Sequence, residues 1–250
     1  MSVNVDLLNS ICKAHTICCN AGIISSNNAS LGKNNFFGYG NFEGKYWFVG
    51  REENGDDSTP TYKNWNESDE IMDLYEAQEH IESIWQEKLV PTWKKLITLM
   101  LSYVLCENES MGVKINDETI RKIQKNYFGR KESQTCSLNL FPGSLQPGSK
   151  RDKKSEEIIP YRIEKIKNMI EKFKPEFVIF YTWQYRTQIK NNLENFGIKF
   201  KSNEVEKKEF CWGNFNETII VICYHAAYRY ISNNYFMEIG KFIKQNIKIK

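Results

Sequence analysis

Apolar runs separated by amphipathic stretches set the pattern of this chain. The runs at 177–181 and 218–223 are apolar at nearly every position, as strands buried on both faces of a sheet are. Shorter runs at 45–49 and 135–140 stop at glycine or proline residues and are also predicted to be strands. A preceding stretch rich in Asn, Ser and Gly, 25–44, is predicted to be a loop.

Segments with helical periodicity separate these strands. They cover 68–107 (with a second helix starting at Pro91), 117–128, 158–172, 184–195 and 231–245. Strands that alternate with helices predict an α/β fold: a three-layer sandwich with a central, mainly parallel four-stranded sheet flanked by helices. The stretch from about 66 to 130 is long for a crossover and is interpreted as a helical insertion. The whole chain, 1–250, is expected to form a single domain.

Composition and charge narrow the class of protein only modestly. The 34 Lys and Arg residues nearly balance the 31 Asp and Glu residues, and a net charge of +3 indicates a nucleic-acid partner only if the positive charge is concentrated. No apolar stretch is long enough to cross a membrane, and no secretory signal pattern opens the sequence. The seven cysteines include no Cys-x-x-Cys pair, so we expect reduced core cysteines in a cytoplasmic protein.

Polar residues follow each predicted strand, where a parallel sheet binds its ligand. They include a carboxylate pair after the first strand (Glu52 among them), an amide at Asn139, an aromatic ring at Phe141 and an imidazole at His225. Each has a purely structural alternative: a solvated loop carboxylate, a strand-end cap, a core phenylalanine or a structural histidine. Their convergence at one sheet edge predicts an active site.

The order of these strand ends resembles the uracil-DNA glycosylase superfamily. The matching segments are Val49-Gly50-Arg51-Glu52, Leu138-Asn139, 181–184 and 224–227, within a similarity that spans roughly residues 45 to 240. The resemblance implies a monofunctional DNA glycosylase, which flips a pyrimidine nucleotide out of DNA and hydrolyses its N-glycosidic bond. It also implies DNA as the partner, no metal or other cofactor and no membrane, and we expect a monomer.

The resemblance assigns a role to each strand end. Glu52 would stabilise the cationic sugar and orient the attacking water. Asn139 would read the Watson–Crick edge of the base beside Gly50, and Phe141 would stack on the flipped ring. His225 would donate a hydrogen bond to the negative charge that develops on the departing base.

Asn54 stands where uracil-specific members of that superfamily carry a tyrosine. That tyrosine blocks a substituent on carbon five of the pyrimidine, so its absence predicts a base site that tolerates larger substituents. Modified cytosines of the kind that phages carry are then candidate substrates, which suggests a role in antiviral defence. Uracil remains the alternative substrate.

Candidate contacts with the DNA backbone surround these strand ends. The loop 143–154 combines small residues with four cations, although a solvated surface loop is an equally good interpretation. His-Ala-Ala replaces the superfamily's His-Pro-Ser, so Tyr228, Arg229 or Tyr230 would have to fill the gap left by a flipped base. The candidate DNA-binding residues are Arg51, Ser144, Lys150, Arg151, Lys153, Lys154, Thr182, Tyr228 and Arg229.

A catalytically silent nucleic-acid-binding module of the same fold is the alternative function. A nucleotide-processing hydrolase has less support, because the sequence contains neither a Gly-x-x-x-x-Gly-Lys phosphate loop nor a Gly-x-Gly-x-x-Gly turn.

Overall fold

One mixed sheet organises the computed structural model, which describes residues 38–50, 71–74, 89–106, 115–141 and 157–247. Its eight strands in these ranges are ordered β3-β1-β4-β2-β5-β8-β7-β6. The strands are β1 (Gly38–Gly40), β2 (Tyr46–Gly50), β3 (Ile71–Met72), β4 (Thr135–Asn139), β5 (Phe177–Phe180), β6 (Lys201–Val205), β7 (Lys208–Phe215) and β8 (Thr218–Ile222).

The centre of the sheet is parallel. Strand β2 pairs in parallel with both β4 and β5, and β5 pairs in parallel with β8. These are the four strands that the apolar runs predict. Antiparallel neighbours extend the sheet on both sides, β1 beside β4 and the β6–β7 hairpin beside β8. The prediction of a four-stranded sheet is therefore wrong in strand number.

Five α-helices accompany the sheet in the described residues: α1 (Pro91–Leu105), α2 (Asp117–Asn126), α3 (Ile159–Phe173), α4 (Arg186–Glu194) and α5 (Asn233–Asn246). Side-chain caps define two of their starts. The Asn116 side chain accepts a hydrogen bond from the backbone N–H of Thr119, and the Ser232 hydroxyl accepts one from that of Tyr235. The starts predicted from the helical periodicity, 117 and 231, lie within about two residues of the observed ones. A capping side chain fixes where each of these helices begins.

The helices form a layer on each face of the sheet. On one face, α1, α2 and α5 pack against alternate strand residues such as Phe48, Ile179 and Val221. On the other face, α3 and α4 pack against the intervening residues, including Trp47 and Val178. This arrangement confirms an α/β fold with a sheet flanked by helices. The predicted insertion supplies α1 and α2, which belong to the first layer.

The edge strands escape the sequence pattern for identifiable reasons. Strand β6 is exposed at its first four residues and therefore lacks an apolar run. Strand β1 is only three residues long and includes two glycines, so the prediction of a loop over 25–44 is wrong there. Residues 71–72, predicted to be helical, form the short strand β3. None of the helices in the described ranges is long and apolar enough to span a membrane.

Candidate functional site at the carboxyl edge

The carboxyl ends of the central strands meet at one level of the sheet. Gly50 lies opposite Asn139, and Val49 lies opposite Phe180. Backbone pairing continues past the strand ends: the N–H of Leu140 donates to the carbonyl of Gly50 over 2.8 Å, and that of Tyr181 donates to Val49 over 3.1 Å. Residues that follow these strands therefore start from a fixed backbone.

Four residues form a continuous row along this edge. Asn139, Gly50 and Tyr181 share one face by strand alternation, the face that α1, α2 and α5 cover. A Cβ atom at position 50 would lie 2.2 Å from the Tyr181 hydroxyl oxygen, so the tyrosine stands directly over the glycine. The His225 ring lies beyond it, its centroid 5.4 Å from that of Tyr181. We call Asn139, Gly50, Tyr181 and His225 the carboxyl-edge row.

Asn139 presents an unusual amide within this row. The residue is only 9% exposed, and its side-chain amide has no hydrogen-bond partner among the described residues. Neither amide atom is among the fully buried unpaired side-chain atoms of the described residues, so the amide keeps contact with solvent. The Asn139 carbonyl, in contrast, accepts a hydrogen bond from Nη2 of Arg162, a buried residue of α3. The backbone of Asn139 is therefore fixed while its amide remains available to a ligand.

Arg162 holds its charge in a buried position. Desolvation lowers the pKa of its guanidinium to about 9, so the group is cationic at neutral pH. A charged donor makes a stronger hydrogen bond to a carbonyl than a neutral donor does. The bond to Asn139 therefore ties α3 firmly to the end of β4.

The hydrogen bonding of His225 defines its neutral tautomer. The backbone N–H of Ala227 donates to Nδ1 of His225 over 3.1 Å. A neutral imidazole that accepts at Nδ1 carries its proton on Nε2. Nε2 is then the donor, which is the chemistry that the resemblance assigns to this residue.

Lys95, a residue that no sequence motif indicates, binds the backbone of the loop that carries His225. Its side chain, on α1, is 8% exposed, and Nζ donates to the carbonyl of Tyr228 over 2.8 Å. Burial lowers the pKa of this amine. No ion pair of Lys95 occurs within the described part of the chain. The sequence feature that could have indicated this role is a lysine within the largely apolar segment of α1.

Phe141 and Thr182 are not placed for their predicted roles. Phe141 is fully buried against Tyr185, with ring centroids 5.1 Å apart, in the core covered by α3 and α4. The chain turns into that core after Asn139, so the core interpretation of Phe141 is right and stacking on a base is wrong for this conformation. Thr182 is also fully buried, which removes its hydroxyl from contact with a DNA backbone.

Tyr228 and Arg229 lie on the accessible side of the His225 loop. The Tyr228 ring centroid is 5.4 Å from that of His225, and its hydroxyl donates to Oε1 of Gln184 over 3.1 Å. Arg229 is exposed. Tyr230 stacks on Tyr228 and is 65% exposed. The loops after β5 and β8 therefore meet beside the carboxyl-edge row.

Several predicted site residues lie outside the described ranges and stay predictions. They follow Gly50 and Phe141 in the chain. These residues are Arg51, Glu52, Asn54, Ser144, Lys150, Arg151, Lys153 and Lys154. Within the described ranges, no group of three or more His, Cys, Asp and Glu side chains is arranged to hold a metal ion.

Comparison of the chain with models of known protein families and with curated proteins finds no match. The relation to uracil-DNA glycosylases therefore rests on the strand-end motifs and remains a prediction.

Proposed function

We propose that this protein is a monofunctional DNA glycosylase that holds an extruded pyrimidine at the carboxyl-edge row. The observation that carries the proposal is Asn139, a largely buried residue at a strand end whose amide keeps contact with solvent and has no hydrogen-bond partner among the described residues. An amide donates and accepts at once, so it can pair with the edge of a nucleobase. An amide that is open to solvent at this edge can exchange its water for the edge of a base.

The reaction breaks the bond between C1′ of the sugar and the base nitrogen. The bonding electrons leave with the base, and the proton on Nε2 of His225 can hydrogen-bond the resulting negative charge. Water adds to C1′, and Glu52 is proposed to orient that water and accept its proton. The products are a free base and an abasic site.

The proposed substrate is a uracil-type or 5-modified pyrimidine, including hypermodified cytosine. Oligonucleotides that carry uracil, 5-hydroxymethylcytosine or its glucosylated form, each treated with alkali after incubation, test both activity and base preference. Alkali breaks the strand at abasic sites, so breaks at the modified base report excision. Cleavage of uracil alone would contradict the wider specificity.

Matched variants separate an enzyme from a binding module. Asn139→Ala and Glu52→Gln are expected to abolish the alkali-dependent breaks, whereas Asn214→Ala is the control, since Asn214 is exposed on β7. Tight DNA binding without breaks would contradict excision and support the silent binding module.

A further inference from the structure

Two stacked aromatic pairs lie on the loops after β5 and β8, beside the Tyr181 and His225 end of the carboxyl-edge row. Tyr230 stacks on Tyr228 with ring centroids 5.3 Å apart and planes inclined by 23°. Trp183 stacks on Tyr224 with centroids 4.9 Å apart and planes inclined by 24°. We call these four residues the aromatic platform. Because Tyr228 also bonds Gln184, the loops that carry the two pairs are joined.

The platform includes a conspicuously accessible ring. Tyr230 is 65% exposed, and among the described residues the other large hydrophobic side chain with high exposure is Phe196, at 36%. An exposed ring that is already stacked on one side offers its second face to a planar ligand. The fold gains little from this arrangement, because the outer face of the ring buries no core surface.

The two segments that carry the platform are positively charged, and a carboxylate, that of Glu206, binds Ser232 and Asn234 just beyond the second segment. The segments 181–186 and 224–231 contain no aspartate or glutamate and contribute Arg186 and Arg229. The Arg186 guanidinium lies 4.7 Å from the centre of the Trp183 ring, and Arg229 is exposed. Aromatic rings interleaved with cations are the arrangement that binds the bases and phosphates of single strands.

We infer that the aromatic platform binds single-stranded DNA next to the nucleotide held at the carboxyl-edge row. In a duplex, neighbouring base pairs cover the faces of each base, so a ring must separate two base pairs to stack there, whereas the base faces of a single strand are open. The inference deepens the proposed function and rests on it, because it names single-stranded DNA as the substrate class. Loss of one base stacked on a protein ring weakens binding about tenfold or more.

Fluorescence anisotropy of the full chain tests this inference without any catalytic step. The probes are a labelled oligothymidylate, the same strand annealed to its complement, the corresponding oligouridylate, and an oligomer of abasic residues with the same phosphates. We expect oligothymidylate to bind about tenfold more tightly than the duplex or the abasic oligomer. Equal affinity for the duplex, or tighter binding of oligouridylate, would overturn the inference.

Substitutions at Tyr230 test stacking directly. Tyr230→Ala should weaken oligothymidylate binding about tenfold and leave binding of the abasic oligomer unchanged, whereas Tyr230→Phe should bind like the native protein. Phe196→Ala is the matched control, since Phe196 follows α4 at the far end of that helix. Unchanged binding of oligothymidylate by Tyr230→Ala would overturn the inference, and circular dichroism verifies that the variants fold.

The inference and the proposed function can fail separately. If Tyr230→Ala loses affinity for oligothymidylate but the native protein never produces alkali-dependent breaks, the platform stands and excision is wrong. If the native protein excises bases and Tyr230→Ala removes the base from a single-stranded substrate equally well at subsaturating concentration, excision stands and the platform is wrong.

Discussion

At the scale of single residues, the Asn139 amide is available to a ligand because it keeps contact with solvent. Full burial of an unpaired amide would cost about 1–3 kcal/mol, and this contact removes much of that cost. Strained or unsatisfied groups of this kind concentrate at functional sites. Among the described residues, Arg162 binds the backbone carbonyl of Asn139, and none forms a hydrogen bond with its side chain.

Removal of this amide should leave the fold at least as stable. For Asn139→Ala we expect a free energy of unfolding between the native value and about 1 kcal/mol above it, measured by urea denaturation. A substitution at a buried position ordinarily destabilises a protein by about 1 kcal/mol. A loss of that size or more in Asn139→Ala would show that the amide serves the fold rather than a ligand.

Only some site residues can be predicted from the sequence. Asn139 and His225 can be selected because they follow apolar strands, and that position alone brings them to one edge. Tyr181 and Lys95 cannot, because their roles depend on partners distant in sequence, Gly50 and Tyr228. Phe141 also follows a strand, but the direction of the chain beyond Leu140 sends its ring into the core.

At the scale of elements, Arg162 joins α3 to the end of β4. Its guanidinium is buried and donates to the Asn139 carbonyl, so the base-reading residue depends on a helix of the opposite layer. The prediction of α3 from amphipathicity was possible, because four isoleucines on one face follow the helical period. The hydrogen bond between Arg162 and the end of β4 could not be predicted, because a single arginine in an amphipathic helix usually faces solvent.

Arg162→Met should destabilise the protein measurably. The Asn139 carbonyl would lose its donor in a buried place, which costs about 1–3 kcal/mol, whereas Arg162→Lys retains one donor and should lose less. The control is Arg121→Met on the exposed face of α2, with an expected change within about 0.5 kcal/mol. Equal free energies of unfolding for Arg162→Met and Arg121→Met would contradict this assignment.

At the scale of the whole molecule, Lys95 connects a helical layer with the loop that carries His225. Central strands and most helices are predictable because burial on both faces imposes apolar runs and helical periods. The edge strands are not predictable, because exposed strands lack apolar runs. The hydrogen bond of Lys95 is not predictable either, because a contact between distant residues produces no periodic pattern in the sequence. Lys95 also places an ionisable group within the core layer, which makes stability depend on pH.

The pH dependence has a definite sign. Burial lowers the pKa of Lys95 in the folded protein below its ordinary value of 10.5, so the unfolded chain binds more protons between the two values. The stability of the native protein relative to Lys95→Met should therefore rise with pH as the amine deprotonates, and level off above 10.5. Urea denaturation at successive alkaline pH values measures the difference. A difference that is constant or falls would contradict the assignment.

The central claim is that the carboxyl-edge row holds a base while its bond to DNA is broken. Mass spectrometry of the small molecules released from DNA that carries a modified pyrimidine tests this most directly. We expect the native protein to release a free base in amounts equal to the abasic sites formed. Asn139→Ala should release none, and Asn214→Ala should release as much as the native protein. Release of a nucleoside or nucleotide, or equal release by Asn139→Ala, would contradict the claim.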